Sequence, residues 1–119
     1  MNPSKLVSTA AGLALALVAV PAFAGWQCSV HPPAGASNTE LMSMAKVSKS
    51  KAEHTALKRL GHGAKVSSAE LESEQNCLIW SFDAKMRGKK GVEEVNVDAG
   101  NGKVLEVHHE SAGQEASEG

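Results

Sequence analysis

Tyrosine is absent from this chain, and phenylalanine and tryptophan occur twice each, so aromatic residues make up only 3% of the 119 positions. No aromatic side chain is interleaved with a basic run, which removes the stacking platform that single-stranded nucleic acids require. An excess of one charge is missing too: 12 basic residues stand against 13 acidic ones, for a formal net charge of −1. Near-neutrality argues against steered binding to nucleic acid or to an anionic bilayer. Cysteine is scarce. Cys28 and Cys77 are the only two, and they form no C-x-x-C pair, so the signature of a thiol–disulfide oxidoreductase is lacking.

Long apolar runs are also missing, with one exception at the N-terminus. Lys5 precedes a stretch from Leu6 to Val20 dominated by Leu, Ala and Val, and Pro21-Ala22-Phe23-Ala24 follows with small residues where a signal peptidase reads. This is the pattern of an exported leader cut between Ala24 and Gly25. The run is short for a membrane span, contains Gly12 and ends in a cleavage-like sequence. Residues 1–24 are therefore expected to be a signal peptide, and the rest to be periplasmic or secreted without inserting into a membrane. Gly25-Trp26-Gln27 before Cys28 lacks the pattern needed for lipid attachment. Removing the leader takes away one lysine, and the body that remains can hold a single modest core.

What the chain does have is organised around residues 77–87, CLIWSFDAKMR. Leu78, Trp80, Phe82, Ala84 and Met86 alternate with Cys77, Ile79, Ser81, Asp83 and Lys85, the period of a strand with one apolar face. Before it, residues 25–45 show no sustained period, and Pro32-Pro33 favours an extended N-terminal extension. Glu40 to Met44 can form a short helical turn or lie across the domain. A helix is expected from Ser48, its N-cap, to Gly61, with Ser50 and Glu53 offering a second capping register. Ala52, Ala56 and Leu60 share one face of that helix, while Lys49, Lys51, Lys58 and Arg59 mostly face water.

Lys65 to Glu74 reads as a strand with Ala69 and Leu71 in phase, and Val66, out of phase, marks a connection or a bulge. Val92 to about Asp98 and a segment beginning at Lys103, with Leu105 and Val107 in phase, read as two more strands around Ala99-Gly100-Asn101-Gly102, the strongest turn signal in the chain. Residues 110–119 lack large apolar side chains and are expected to be a flexible tail. The expected fold is α+β: one N-terminal helix packed on a four-stranded antiparallel meander sheet.

The span from about Lys46 to His109 resembles a PepSY domain. The resemblance lies in Val47-Ser48 leading to Ala52 and Ala56-Leu57, in Lys65-Val66, Ala69-Glu70-Leu71 and Trp80-Ser81-Phe82-Asp83, and most clearly in residues 95–105, VNVDAGNGKVL. PepSY modules occur in propeptides of some secreted metallopeptidases and in standalone envelope proteins. The resemblance thus implies the same α+β architecture and a role in restraining a peptidase or assisting its folding. This chain departs in carrying no peptidase domain and in having an N-terminal extension with Cys28.

No catalytic constellation and no cofactor are expected. His31, His54, His62, His108 and His109 have no established metal spacing, and adjacent His108 and His109 point to opposite faces of a strand. Glu70, Glu72, Glu74, Asp83, Glu93 and Glu94 read as solvated strand positions, and Asp98 as support for its turn. Cys28 and Cys77 can pair within one chain, a link worth roughly 3–4 kcal/mol. The alternative is a Cys77 thiol near the sheet surface with Cys28 free or paired between molecules.

The expected protein-binding surface is the face bearing Ile79 and Ser81, a sheet edge, and the basic loop with Lys89 and Lys90. If the N-terminal extension covers Ile79, that residue serves stability instead. The function expected is noncatalytic binding of another envelope or secreted protein, a peptidase among the candidates. The alternatives are a metal or small-ligand module and a structural subunit of an envelope assembly.

Overall fold

A computed structural model describes residues 25–111. The expected signal peptide, 1–24, and residues 112–119 of the expected tail lie outside the described residues. Among the described residues two helices precede four strands: α1 is Asn38–Met44, α2 Lys49–Leu60, β1 Ala64–Glu74, β2 Cys77–Met86, β3 Val92–Asp98 and β4 Val104–Glu110. The sheet order is β1-β2-β3-β4, each neighbouring pair antiparallel, which is the expected meander.

The short helical turn allowed for Glu40 to Met44 forms as α1, beside the one helix of the expected fold. A reciprocal cap starts α1: the Ser37 backbone N–H donates to Glu40 Oε1 at 2.7 Å, and the Glu40 N–H donates to Ser37 Oγ at 3.1 Å. Seven residues are too few for an isolated helix, so α1 depends on packing. Leu41 supplies it by joining the core. Ser48 caps α2 by accepting the Lys51 N–H at 3.1 Å, and Gly61 ends it at φ 90°. Ser50 lies within α2 and does not cap it.

The core lies between α2 and one sheet face. Leu78, Trp80, Phe82, Val95, Val97 and Ala99 pack with Ala52, Ala56 and Leu41. Alanine at the two contact positions lets the helix approach closely, leaving the volume to the large side chains of β2. Cross-strand register aligns the apolar rows: Leu71, Trp80 and Val97 in one, Ala69, Phe82, Val95 and Val107 in the next. An irregularity between Val66 and Ser68 sets Val66 opposite Ala84, so the out-of-phase valine is brought to the apolar face by a bulge. The Trp80 indole N–H donates to the Val47 carbonyl at 2.8 Å, which satisfies its one polar atom.

The opposite face carries the alternate residues. Glu70, Glu72 and Glu74 on β1, Ser81 and Asp83 on β2, Glu94 and Asn96 on β3, and Glu106, His108 and Glu110 on β4 all belong to it by register. Among the described residues no helix covers this face, so it positions the chemistry that follows.

Candidate functional site

The N-terminal segment is fastened to the end of the sheet where β2 starts and β3 finishes. Cys28 and Cys77 form a disulfide with Cα atoms 5.9 Å apart, so both cysteines are used within the chain. One residue on, Ser29 donates twice to the Asp98 carboxylate, from its backbone N–H at 2.8 Å and its hydroxyl at 2.7 Å. The Val30 carbonyl accepts the Leu78 N–H at 3.0 Å, and His31 Nδ1 lies 2.7 Å from the Asn76 carbonyl, to which it donates. Gly100 matters here because a Cβ at that position would collide with the Ser29 hydroxyl and the Val30 side chain.

Asp98 is fully buried. Burial alone would raise its pKa, but the Ser29 hydroxyl, the Gly100 N–H, the Ser29 N–H and the Asn101 N–H all stabilise the charged form, and the net effect is a lowered pKa. Asp98 does support its turn, as expected, through Gly100 at 2.7 Å and Asn101 at 3.2 Å. Its second role, as anchor for Ser29, was not legible because the partner lies 69 residues away.

Ile79 was expected either to dock a partner or to be covered by the N-terminal extension, and the structure buries both it and Ser81. Ile79 has 0% exposure and Ser81 7%. The attachments of Cys28 to Cys77 and of Ser29 to Asp98 flank Ile79 along its own strand and across to β3, which closes that end of the face. A partner lying on the sheet meets the side chains around Ile79 and Ser81 rather than those two residues. Lys89 and Lys90 are exposed, as expected, but they follow β2 in the loop at its far end. At about 3.3 Å per residue, that loop is roughly 30 Å along the chain from Ile79. The structure does not bring the four residues into one surface.

What does come together is an acidic concavity of about 120 Å³ lined by Ser68, Glu70, Glu72, Ser81, Asp83 and Glu94. The Ser68 hydroxyl donates to Asp83 Oδ2 and the Ser81 hydroxyl to Glu94 Oε2, both at 3.2 Å. Burial, then the neighbouring charges of Glu74, Glu70, Glu94 and Asp83, raise the pKa of Glu72. Burial also raises that of Glu94, against the lowering effect of the Ser81 hydrogen bond and with further upward pushes from Glu110, Asp83 and Glu74. Beside the concavity, opposite Ser81, sits Asn96, 2% exposed, whose side-chain oxygen has no hydrogen-bond partner. The alternation of β1, β2 and β3 already assigned these carboxylates to strand positions; the register that gathers them was the missing information.

A metal site built from His62 with His108 or His109 is not supported by their placement. His62 precedes β1 and the pair lies on β4, at opposite edges of the sheet, separated by three strand spacings or roughly 14 Å. His109 instead lies 2.6 Å from Glu93. Cys28, His31 and Cys77 have ligand-type atoms near one another, but both sulfurs are engaged in the disulfide.

A small helix-backed antiparallel sheet with a latched N-terminal segment defines the class of module. A family model described as "Peptidase propeptide and YPEB domain", PepSY, matches residues 46–108, and the chain belongs to that family. The match runs from the α1–α2 connection into β4, so it contains α2, most of the sheet and the acidic concavity, and leaves the Cys28 segment and α1 outside. No curated protein matches the chain, and no solved structure does.

Proposed function

We propose that the chain is an exported, noncatalytic PepSY protein that binds an envelope or secreted protein, a peptidase first, and restrains it by occlusion. The observation that carries this reading is the family match, whose description ties the module to peptidase propeptides. The disulfide supports export, because it suits an oxidising compartment. Among the described residues no helix is long and apolar enough to cross a membrane.

The test is an inhibition assay. Residues 25–119, with the disulfide formed, are added to secreted peptidases of the source cell, and residual activity is followed against inhibitor concentration. Saturable inhibition at a one-to-one ratio is expected of at least one peptidase. Unchanged activity across the secreted set, with the added protein folded, would move the weight to a structural subunit of an envelope assembly.

A further inference from the structure

The sheet face opposite α2 carries the acidic concavity. Glu70, Glu72, Asp83 and Glu94 line one concavity, and Glu106 continues the face across Asn96. Like charges placed opposite and diagonal to one another across a sheet repel. Every group that lines the concavity is a carboxylate or a serine hydroxyl, and the serine hydroxyls already donate to Asp83 and Glu94. Asn96 adds a second, independent sign: a buried amide oxygen, aimed to the same face between Ser81 and Glu106, with no donor. Buried acceptors are rarely left unmet, so this one calls for a donor.

We propose that this face docks an extended, cationic segment of a protein partner, its lysine or arginine side chains entering the concavity between β1 and β3 and supplying the donor that Asn96 lacks. The inference rests on the peptidase-binding reading and names the surface and the partner chemistry for it. An ammonium or guanidinium group offers only donors, the complement of the four carboxylates that line the concavity. An extended segment fits better than a single ion, because among the described residues no three of these carboxylates converge closely enough to hold one. Spacing fits as well. Glu70 and Glu72 are two residues apart on one strand, about 6.7 Å, and alternate side chains of an extended peptide repeat at the same distance.

The experiment uses residues 25–119 with the disulfide formed and a fluorescein-labelled ten-residue peptide of alternating lysine and threonine, with the glutamate–threonine peptide as control. Affinity is read by anisotropy at two salt concentrations. The lysine peptide is expected to bind, weaken with salt, and shift the Asn96 side-chain amide in an NMR spectrum. E72Q/E94Q is expected to lose at least about tenfold in affinity, whereas E40Q/E53Q, the same change in net charge on the helices, retains it. Equal losses in both pairs, or no binding at low salt, would overturn the proposal. So would stoichiometric binding of calcium ion tighter than the peptide, or self-association abolished by E72Q/E94Q. Peptidase inhibition that survives E72Q/E94Q would remove this docking site and leave the peptidase reading standing. Peptide binding without inhibition of any peptidase would do the reverse.

Discussion

The two faces of β2 are both largely closed to water, and by different means. On one, Leu78, Trp80, Phe82 and Ala84 are buried by apolar packing against α2 and the neighbouring rows. On the other, Cys77 and Ile79 are shut in beside a covalent and hydrogen-bonded latch, and Ser81 sits among glutamates. The first kind of burial is nondirectional and grows with apolar area. The second depends on a few particular bonds, each with a defined partner. The lesson is that one strand can be the centre of the core while its reverse side remains free to specialise.

The comparison can be broken most severely on the packed face. Phe82→Ala, at a fully buried position, is expected to cost about 3–5 kcal/mol by denaturant unfolding, and Trp80→Ala a similar amount. A loss below about 1 kcal/mol for either would mean that β2 is not the core strand. On the latch side, replacing Cys28 and Cys77 together by serine is expected to lower stability by roughly 3–4 kcal/mol, from the chain entropy released by opening the loop. The same melt run with and without a reductant on the native chain checks it.

Asp98→Ala comes next, at about 2–3 kcal/mol, because it strands several buried donors at once. Gly100→Ala tests the same joint by steric means, and proteolysis near Cys28 is expected to quicken as Ser29 is pushed off the carboxylate.

Titration separates the latched end of this face from its acidic concavity. Asp98 has a lowered folded pKa, so its contribution is fully present above the ordinary aspartate value and is lost as pH falls toward the depressed one. Glu72 and Glu94 have raised folded values, so their contribution is largest below the ordinary glutamate value and is lost as pH rises through the raised ones. Denaturant midpoints measured against pH are therefore expected to fall on both sides of a mildly acidic maximum. Glu94→Gln should flatten the descent on the alkaline side and leave the acid side unchanged. At neutral pH that substitution is expected to stabilise by about 0.5 kcal/mol, the scale of one relieved cross-strand repulsion. A destabilised Glu94→Gln would show that the carboxylate is held by attraction rather than strained by its neighbours.

Much of the fold was legible along the chain. The alternation of 77–87, the capping serine at 48, the glycine at 61 and the turn at 99–102 all report local geometry, and local geometry is written in adjacent residues. The α1 helix was legible as well, in Ser37-x-x-Glu40 ahead of Leu41, a capping box that the loop-like composition around Pro32-Pro33 obscured. The site was less legible. Ile79 reads either as a docking residue or as one covered by the N-terminal extension, and only the folded chain, with the latch beside it, decides for burial. Asn96 reads as a polar strand residue, and nothing near it in sequence announces an unmet acceptor.

The sequence by itself determined where the strands and the main helix lie, which side of each strand is apolar, the meander order, and the family to which the chain belongs. These follow from periodicity and turn chemistry, which act over a few residues. Tertiary structure alone decided that Cys28 pairs with Cys77 within the chain, that Ser29 finds Asp98, and that carboxylates of three strands share one concavity. Such relations depend on register and on contacts between residues distant in the chain, and register is set by how every strand buries its apolar face at once.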